Sequence, residues 1–141
     1  MAHVFTYGSL MFDQVWSRVV SHSYDREEAI LSGYDRKSVR GEVFPVVVPA
    51  SPDSQVQGIV YRGVSLSDLS RLDRFERDYY DRKTVAVVTL DTKILSAEVY
   101  VLREEYYWII SPQEWDPVQF SSRDMYNFIQ QYHLQENETK Q

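Results

Sequence analysis

The sequence predicts an α+β fold: a curled or barrel-like sheet with a few short helices around it. Strand-like segments recur at short intervals, separated by Gly, Pro, Asp and Ser turns, and so many strands in 141 residues favour a sheet that closes on itself. Elsewhere the apolar residues switch to helical spacing behind recognisable caps. An apolar fraction of 43% with 26% charged residues is ordinary for a protein with one core, so a single domain over residues 1–141 is expected, with a polar tail from about residue 134.

The elements follow in order. Val4–Tyr7 reads as a strand running into a turn at Gly8. Asp13 can cap a helix carrying Val15, Trp16, Val19 and Val20. Residues about 26–40 read as strand with turns at Gly33 and Gly41. Phe44–Val48 is β-rich, and Pro45 puts it at a strand start or a sheet edge. Val56–Tyr61 is a strand in which Gly58 invites a bulge or a close backbone approach. Ser65 or Ser67 can cap a helix running to about Arg77. Thr84–Leu90 and Ile94–Leu102 flank Asp91-Thr92-Lys93 as a hairpin. Ser111-Pro112-Gln113-Glu114 reads as a helix start. Ser121 or Ser122 caps a last helix, with Met125, Phe128, Ile129 and Tyr132 on one face.

Composition also narrows the function. No cysteine is present, so disulfides, thiolate metal sites and a Cys nucleophile are ruled out. A net charge of −6 without a basic stripe argues against nucleic acid as partner. No apolar run reaches the roughly 18–20 residues of a membrane span, and residues 1–5 do not resemble a signal peptide. A cytoplasmic protein without membrane contact is the expectation. The histidines at 3, 22 and 133 have no metal-ligand spacing, no serine sits in Gly-x-Ser-x-Gly, and no phosphate-binding glycine pattern occurs, so neither a metal nor a cofactor is expected.

Two segments stand out. The first is Tyr7-Gly8-Ser9-Leu10, where a Gly turn at a strand's end exposes backbone N–H groups to an anion or a carbonyl oxygen, with Gly8 expected in left-handed geometry. The second is Leu72–Glu76. With Leu69 set at zero on a helical wheel, Glu76 falls at about −20°, between Leu69 and Leu72 on the apolar face. A carboxylate there is desolvated with a raised pKa, as a general base requires, or held by a donor. Alternatively the helix ends by Phe75 and Glu76 is a solvated residue or pairs with Arg82. Asp73 is a weaker second acid. Arg82 could pair with a substrate carboxylate or serve as a brace. Tyr7, Tyr34, and Tyr80 or Tyr107 are candidate hydroxyl donors at the rim.

Together these segments resemble the gamma-glutamylcyclotransferase-like superfamily, in particular its plant and fungal avirulence-induced-gene-like branch. The resemblance rests on Val4–Leu10, Ser32-Gly33-Tyr34, Phe44-Pro45-Val46, Val56–Tyr61, Leu72–Glu76 with Tyr80–Val85, and the Trp108 and Glu114-Trp115 region, covering roughly residues 3–132. It implies a small mixed-sheet β-barrel flanked by short helices, a substrate loop at Tyr7, Gly8, Ser9 and Leu10, and a catalytic Glu76. It further implies conversion of a small-molecule gamma-glutamyl compound into 5-oxoproline and a free amine, with Glu76 as proton acceptor. The sequence departs from the family at Arg77, where many members have Gly; a long basic side chain there could crowd the pocket or pair with Glu76. A non-catalytic binding or interaction domain that keeps the barrel and pocket is the alternative. Monomer and homodimer are both open.

Overall fold

The computed structural model describes residues 1–132; the polar tail expected from about residue 134, and His133, lie outside the described residues. Five strands close into a barrel in the order β1 (Ala2–Thr6), β5 (Gln55–Val64), β2 (Arg26–Ser32), β6 (Tyr80–Thr89) and β7 (Ile94–Leu102). Its neighbours are antiparallel except at the seam. There β1 runs parallel to β7, with His3 opposite Ala97 and Val4 opposite Glu98, so the barrel is mixed. A second sheet, ordered β4 (Pro45–Pro49), β3 (Tyr34–Val39) and β8 (Ile110–Ser111), covers one flank.

The period-2 alternation of the strands sorts side chains between two cores. Phe5, Leu31, Val56, Val60, Val87 and Val99 belong to one; Val4, Tyr61 and Val64 point the other way, toward the helices. Trp16 of α1 (Asp13–Val19) stacks on Tyr61 at 3.6 Å between ring centroids, which fixes α1 against the barrel wall. Gly58 is where strands β1 and β5 crowd together. A Cβ on it would lie 2.1 Å from the Thr6 carbonyl oxygen and 2.7 Å from the Phe5 ring. Of the two sequence readings of this glycine, close backbone approach is the one observed.

Several boundaries differ from the sequence expectation. Residues 26–40 are strand on either side of the expected turn at Gly33, which at φ 85° takes the chain from the barrel into the second sheet. Pro45 does open an edge strand, as its missing N–H requires. Strand β6 starts at Tyr80 rather than Thr84. No helix begins at Ser111–Glu114. The first helical turn with a leading proline is α3 (Pro117–Gln119), capped by Asp116, whose carboxylate accepts from the Val118 N–H at 2.9 Å. A π-helical turn (Phe120–Asp124) then leads into α4 (Met125–Gln131), so Ser121 and Ser122 are not caps. Their hydroxyls instead donate to the Val118 carbonyl.

Helix α2 (Leu66–Glu76) is held at both ends. Ser65 caps it by accepting from the Asp68 N–H. Asp68 itself is fully buried. It accepts from the Ser21 N–H at 2.7 Å and hydroxyl at 2.8 Å, from the Tyr24 hydroxyl at 2.5 Å, and from Arg71 at 3.0 Å. Burial alone would raise its pKa. The bonds from Tyr24, Ser21 and His22 outweigh that and hold the carboxyl well below the usual range. The stability they supply is therefore present above the unfolded carboxylate range and lost only as pH falls through the lowered folded value. This anchor ties the α1–β2 connection to α2 and sets the position of the helix's far end.

Gly58→Ala is expected to destabilise the protein by about 3 kcal/mol or more, because the obstructing atom is backbone and cannot rotate away. Urea denaturation measures it. An unchanged midpoint would contradict the close packing of β1 on β5.

Candidate active site

Beyond Thr6 the chain leaves the barrel through Tyr7 and Gly8, makes one 3₁₀ turn over Ser9–Met11, and enters α1. Every carbonyl of this loop is engaged. Arg36 of β3 donates to the Tyr7 oxygen at 3.0 Å, the Tyr61 hydroxyl to Leu10 at 2.9 Å, and Arg26 to Met11 at 2.8 Å. The Gly8 and Ser9 oxygens accept from the N–H groups of Met11 and Phe12. Among the described residues, no group accepts from the N–H of Gly8, Ser9 or Leu10. Buried backbone donors are rarely left without a partner, so three in a row on a cavity wall mark a place for an external acceptor.

Gly8 is needed for a different reason than the sequence suggested. Its φ is −137°, not left-handed. A Cβ there would lie 2.7 Å from Cδ of Pro45. The glycine lets the loop press against the edge strand of the second sheet, whose Arg36 then reaches Tyr7. The Arg36 guanidinium is seated over the Trp115 ring at 5.1 Å.

The loop lines a cavity of about 330 Å³, within the usual size of small-molecule sites. Glu76, the last residue of α2, lines the same cavity. Its position on the apolar face follows the helical wheel, and the helix does not end at Phe75. Desolvation, with a smaller contribution from Asp73, pushes the Glu76 carboxyl up to about 8. Among the described residues nothing donates a hydrogen bond to it and no cation pairs with it. Tyr80 and Tyr100 also line it, as do the charged Arg40, Glu42 and Arg77. The Tyr80 hydroxyl has no partner among the described residues, and burial followed by the nearby Glu76 raises its pKa well above the ordinary phenol value. It stays protonated, a donor facing the same space as the acid.

The other candidates lie elsewhere. Tyr7 does line the cavity, but its hydroxyl donates to the Tyr100 carbonyl at 2.7 Å. Arg82 does not line it. Arg82 bridges Asp73 and Glu98, each at 3.1 Å, and so braces the helix against the β6–β7 hairpin instead of facing a substrate. Asp73 also accepts from the Tyr100 hydroxyl at 2.7 Å. Tyr34 packs against the barrel core away from the cavity, and Tyr107 lies outside it. Tyr100, Arg36 and Tyr61 were missed. Tyr100 could have been found from the hairpin register, which sets it opposite Arg82. Arg36 and Tyr61 gave no signal, since both act through backbone atoms distant in sequence. Among the described residues no group of His, Asp and Glu could hold a metal ion, and no helix is long and apolar enough to cross a membrane.

The match to known proteins covers the residues that build this cavity. The family described as "Gamma-glutamyl cyclotransferase, AIG2-like" matches residues 4–117. The chain belongs to that family. It is 34% identical over 130 residues to AIG2-like protein C of Arabidopsis thaliana, covering 89% of this chain and 73% of the relative. A solution structure from the same plant superposes with a TM-score of 0.69 at 26% identity, covering 93% of this chain and 87% of that one. A structure described as gamma-glutamyl cyclotransferase shares the fold, with a TM-score of 0.63 at 16% identity over 97% of this chain and 89% of that one.

In this AIG2-like chain, Arg77 does not pair with Glu76. It is exposed, and its backbone sits at φ 64°, ψ −156°, while its N–H donates to the Asp73 carbonyl to end α2. Only glycine takes up that region without strain, and a side chain there costs about 1–3 kcal/mol. The sharp turn lets the chain leave α2 immediately after Glu76, so the acid stays at the cavity wall.

Two stability measurements test this geometry. Because the folded carboxyl titrates near 8 while the unfolded one titrates near the ordinary value, the folded state holds the extra proton between them. Wild-type stability is therefore expected to fall with rising pH across that window, by on the order of 1 kcal/mol per unit relative to Glu76→Gln. Parallel pH curves for the two proteins would contradict a desolvated acid. Arg77→Gly is expected to raise stability by about 1 kcal/mol, the relieved strain less the entropy of glycine. A loss of stability would contradict the strained turn.

Proposed function

We propose that this chain is a gamma-glutamylcyclotransferase-type enzyme that releases 5-oxoproline and a free amine from a gamma-glutamyl compound. The observation that carries the reading is the pairing, across one cavity, of an unpartnered, desolvated Glu76 carboxyl with the three unpartnered N–H groups of Gly8, Ser9 and Leu10.

The reaction needs no nucleophile from the protein. The substrate's own α-amine attacks its γ-carbonyl carbon, forming the ring C–N bond. The γ-amide C–N bond then breaks. The attacking nitrogen, an ammonium at the start, sheds two protons on its way to the ring amide; Glu76 takes them in turn and passes them to the departing amine, which leaves as an ammonium, so no water is consumed. An α-ammonium docking beside Glu76 favours the carboxylate, and the apolar surroundings favour passing the proton across to leave a neutral amine able to attack. The loop N–H groups are suited to the substrate carboxylate or to negative charge developing on the γ-oxygen. Tyr80 offers a further donor. The cavity would hold the glutamyl chain folded with amine near carbonyl, and such positioning can supply a large share of the rate.

Chromatographic detection of 5-oxoproline from a panel of gamma-glutamyl compounds tests the proposal. Wild type is expected to be active, and Glu76→Gln to lose about 10²–10⁴-fold in turnover while keeping its fold. The kcat/KM profile is expected to drop as pH falls below the Glu76 value of about 8, since the acceptor must be ionised. No 5-oxoproline from any of the panel, or full activity in Glu76→Gln, would overturn the assignment in favour of a non-catalytic binding domain.

A further inference from the structure

Two openings meet at the end of α2. The main cavity and a shallower groove of about 380 Å³ share Phe75, Arg77 and Tyr132 as a common wall. From there the groove runs along α2 past Arg74 to Arg71, with Val19 in its lining. Arg71 is committed to Asp68 and Ser21. Arg74 and Arg77 are exposed, and among the described residues neither has an ion pair or a side-chain hydrogen bond. In a chain of net charge −6, two guanidinium groups in one groove, unpaired among the described residues, are available to an external anion.

We propose that Arg77, with Arg74 behind it, is a specificity subsite for a carboxylate carried by the leaving amine. The inference rests on the proposed cyclotransferase reading and assigns the second half of the substrate. The glutamyl end must bring its α-amine to Glu76 and its carboxylate or γ-oxygen to the loop, so the amide's other half points out of the cavity. Arg77 directly follows Glu76 in the chain and walls the passage into the groove. Phe75 and Tyr132 offer apolar surface to the stem of the leaving group, and a guanidinium at the end of that path can grip a carboxylate bidentately. Glu42, close to Tyr132, also lines the cavity, where Arg40 and Arg77 outnumber it. The backbone strain at position 77 falls on the charged member of the three residues that line both spaces.

The test compares two compounds that differ only in that carboxylate, γ-glutamyl-L-alanine and γ-glutamyl-ethylamide. Wild type is expected to favour the alanine compound by about tenfold in kcat/KM, expressed mainly in KM, as a bidentate charged contact supports. Arg77→Gln and Arg77→Gly are both expected to bring the ratio close to one, although the second relieves the backbone and the first does not. Arg74→Gln should reduce it partway. A purely structural role would make the ratio insensitive to all three. Calorimetric binding of both compounds to Glu76→Gln separates this proposal from the reading beneath it. If neither compound is turned over but the binding preference exists and disappears on adding Arg77→Gln, the subsite stands and the catalytic assignment falls. Turnover of both at equal kcat/KM overturns the subsite and leaves the catalytic assignment intact. Absence of both turnover and binding overturns both.

Discussion

The loop after β1 points its polarity in one direction, and the site depends on that. A peptide group has a donor and an acceptor, and a loop that satisfied both internally would offer a ligand nothing. Here Arg36, Tyr61 and Arg26 draw off the carbonyls of Tyr7, Leu10 and Met11, while the 3₁₀ turn consumes those of Gly8 and Ser9. What is left over is N–H. The three donating side chains come from β3, β5 and β2, so both sheets must form before the loop can be held. The barrel's close approach at Gly58 and the Pro45 contact at Gly8 serve the same end: they bring the strands near enough for those side chains to reach.

The acid in the cavity carries its own cost. Glu76 would be more stable hydrated or paired, and a neighbouring cation such as Arg82 could have supplied the partner. Arg82 is instead held by Asp73 and Glu98, and Asp73 by Tyr100 as well. Asp73, Arg82 and Glu98 are thus tied to one another, and among the described residues no donor or cation offsets the desolvation of Glu76. The strained turn at Arg77 adds to this. Stability is recovered elsewhere, through the buried Asp68 cluster at the helix's other end and the Trp16–Tyr61 stack. An acid poised near neutrality is thereby tolerated in a cavity that apolar side chains alone would fill more favourably.

Much of this was legible from local patterns. The apolar period of α2 put Glu76 among Leu69 and Leu72, the hairpin around Asp91-Thr92-Lys93 formed where its turn residues required, and Pro45 marked an edge. The failures have a common cause in interactions that local sequence does not encode. The Gly33 turn was expected, but that the strands on either side of it join different sheets depends on what each pairs with. Gly8 avoids a proline far along the chain rather than satisfying its own dihedral preference. Pro112 and Pro117 carry the same helix-start signature, and Ser111 and Asp116 each accept from the N–H two residues on, yet only the second turn is helical, since Ser111 is taken into β8 against β3. Arg82 sits next to candidate site residues in sequence yet on the far side of Asp73 in space.

The central claim is that Glu76 is a desolvated, unpaired acid in the cavity, and its own titration tests it most directly. Carboxyl carbon NMR of glutamate-labelled protein, with the resonance assigned by its absence in Glu76→Gln, follows that single group across pH. A midpoint near 8 is expected from its surroundings. A midpoint near the ordinary glutamate value of about 4.3 would mean that water or a donor reaches the carboxylate, and the cavity described here would not be the one the protein forms in solution.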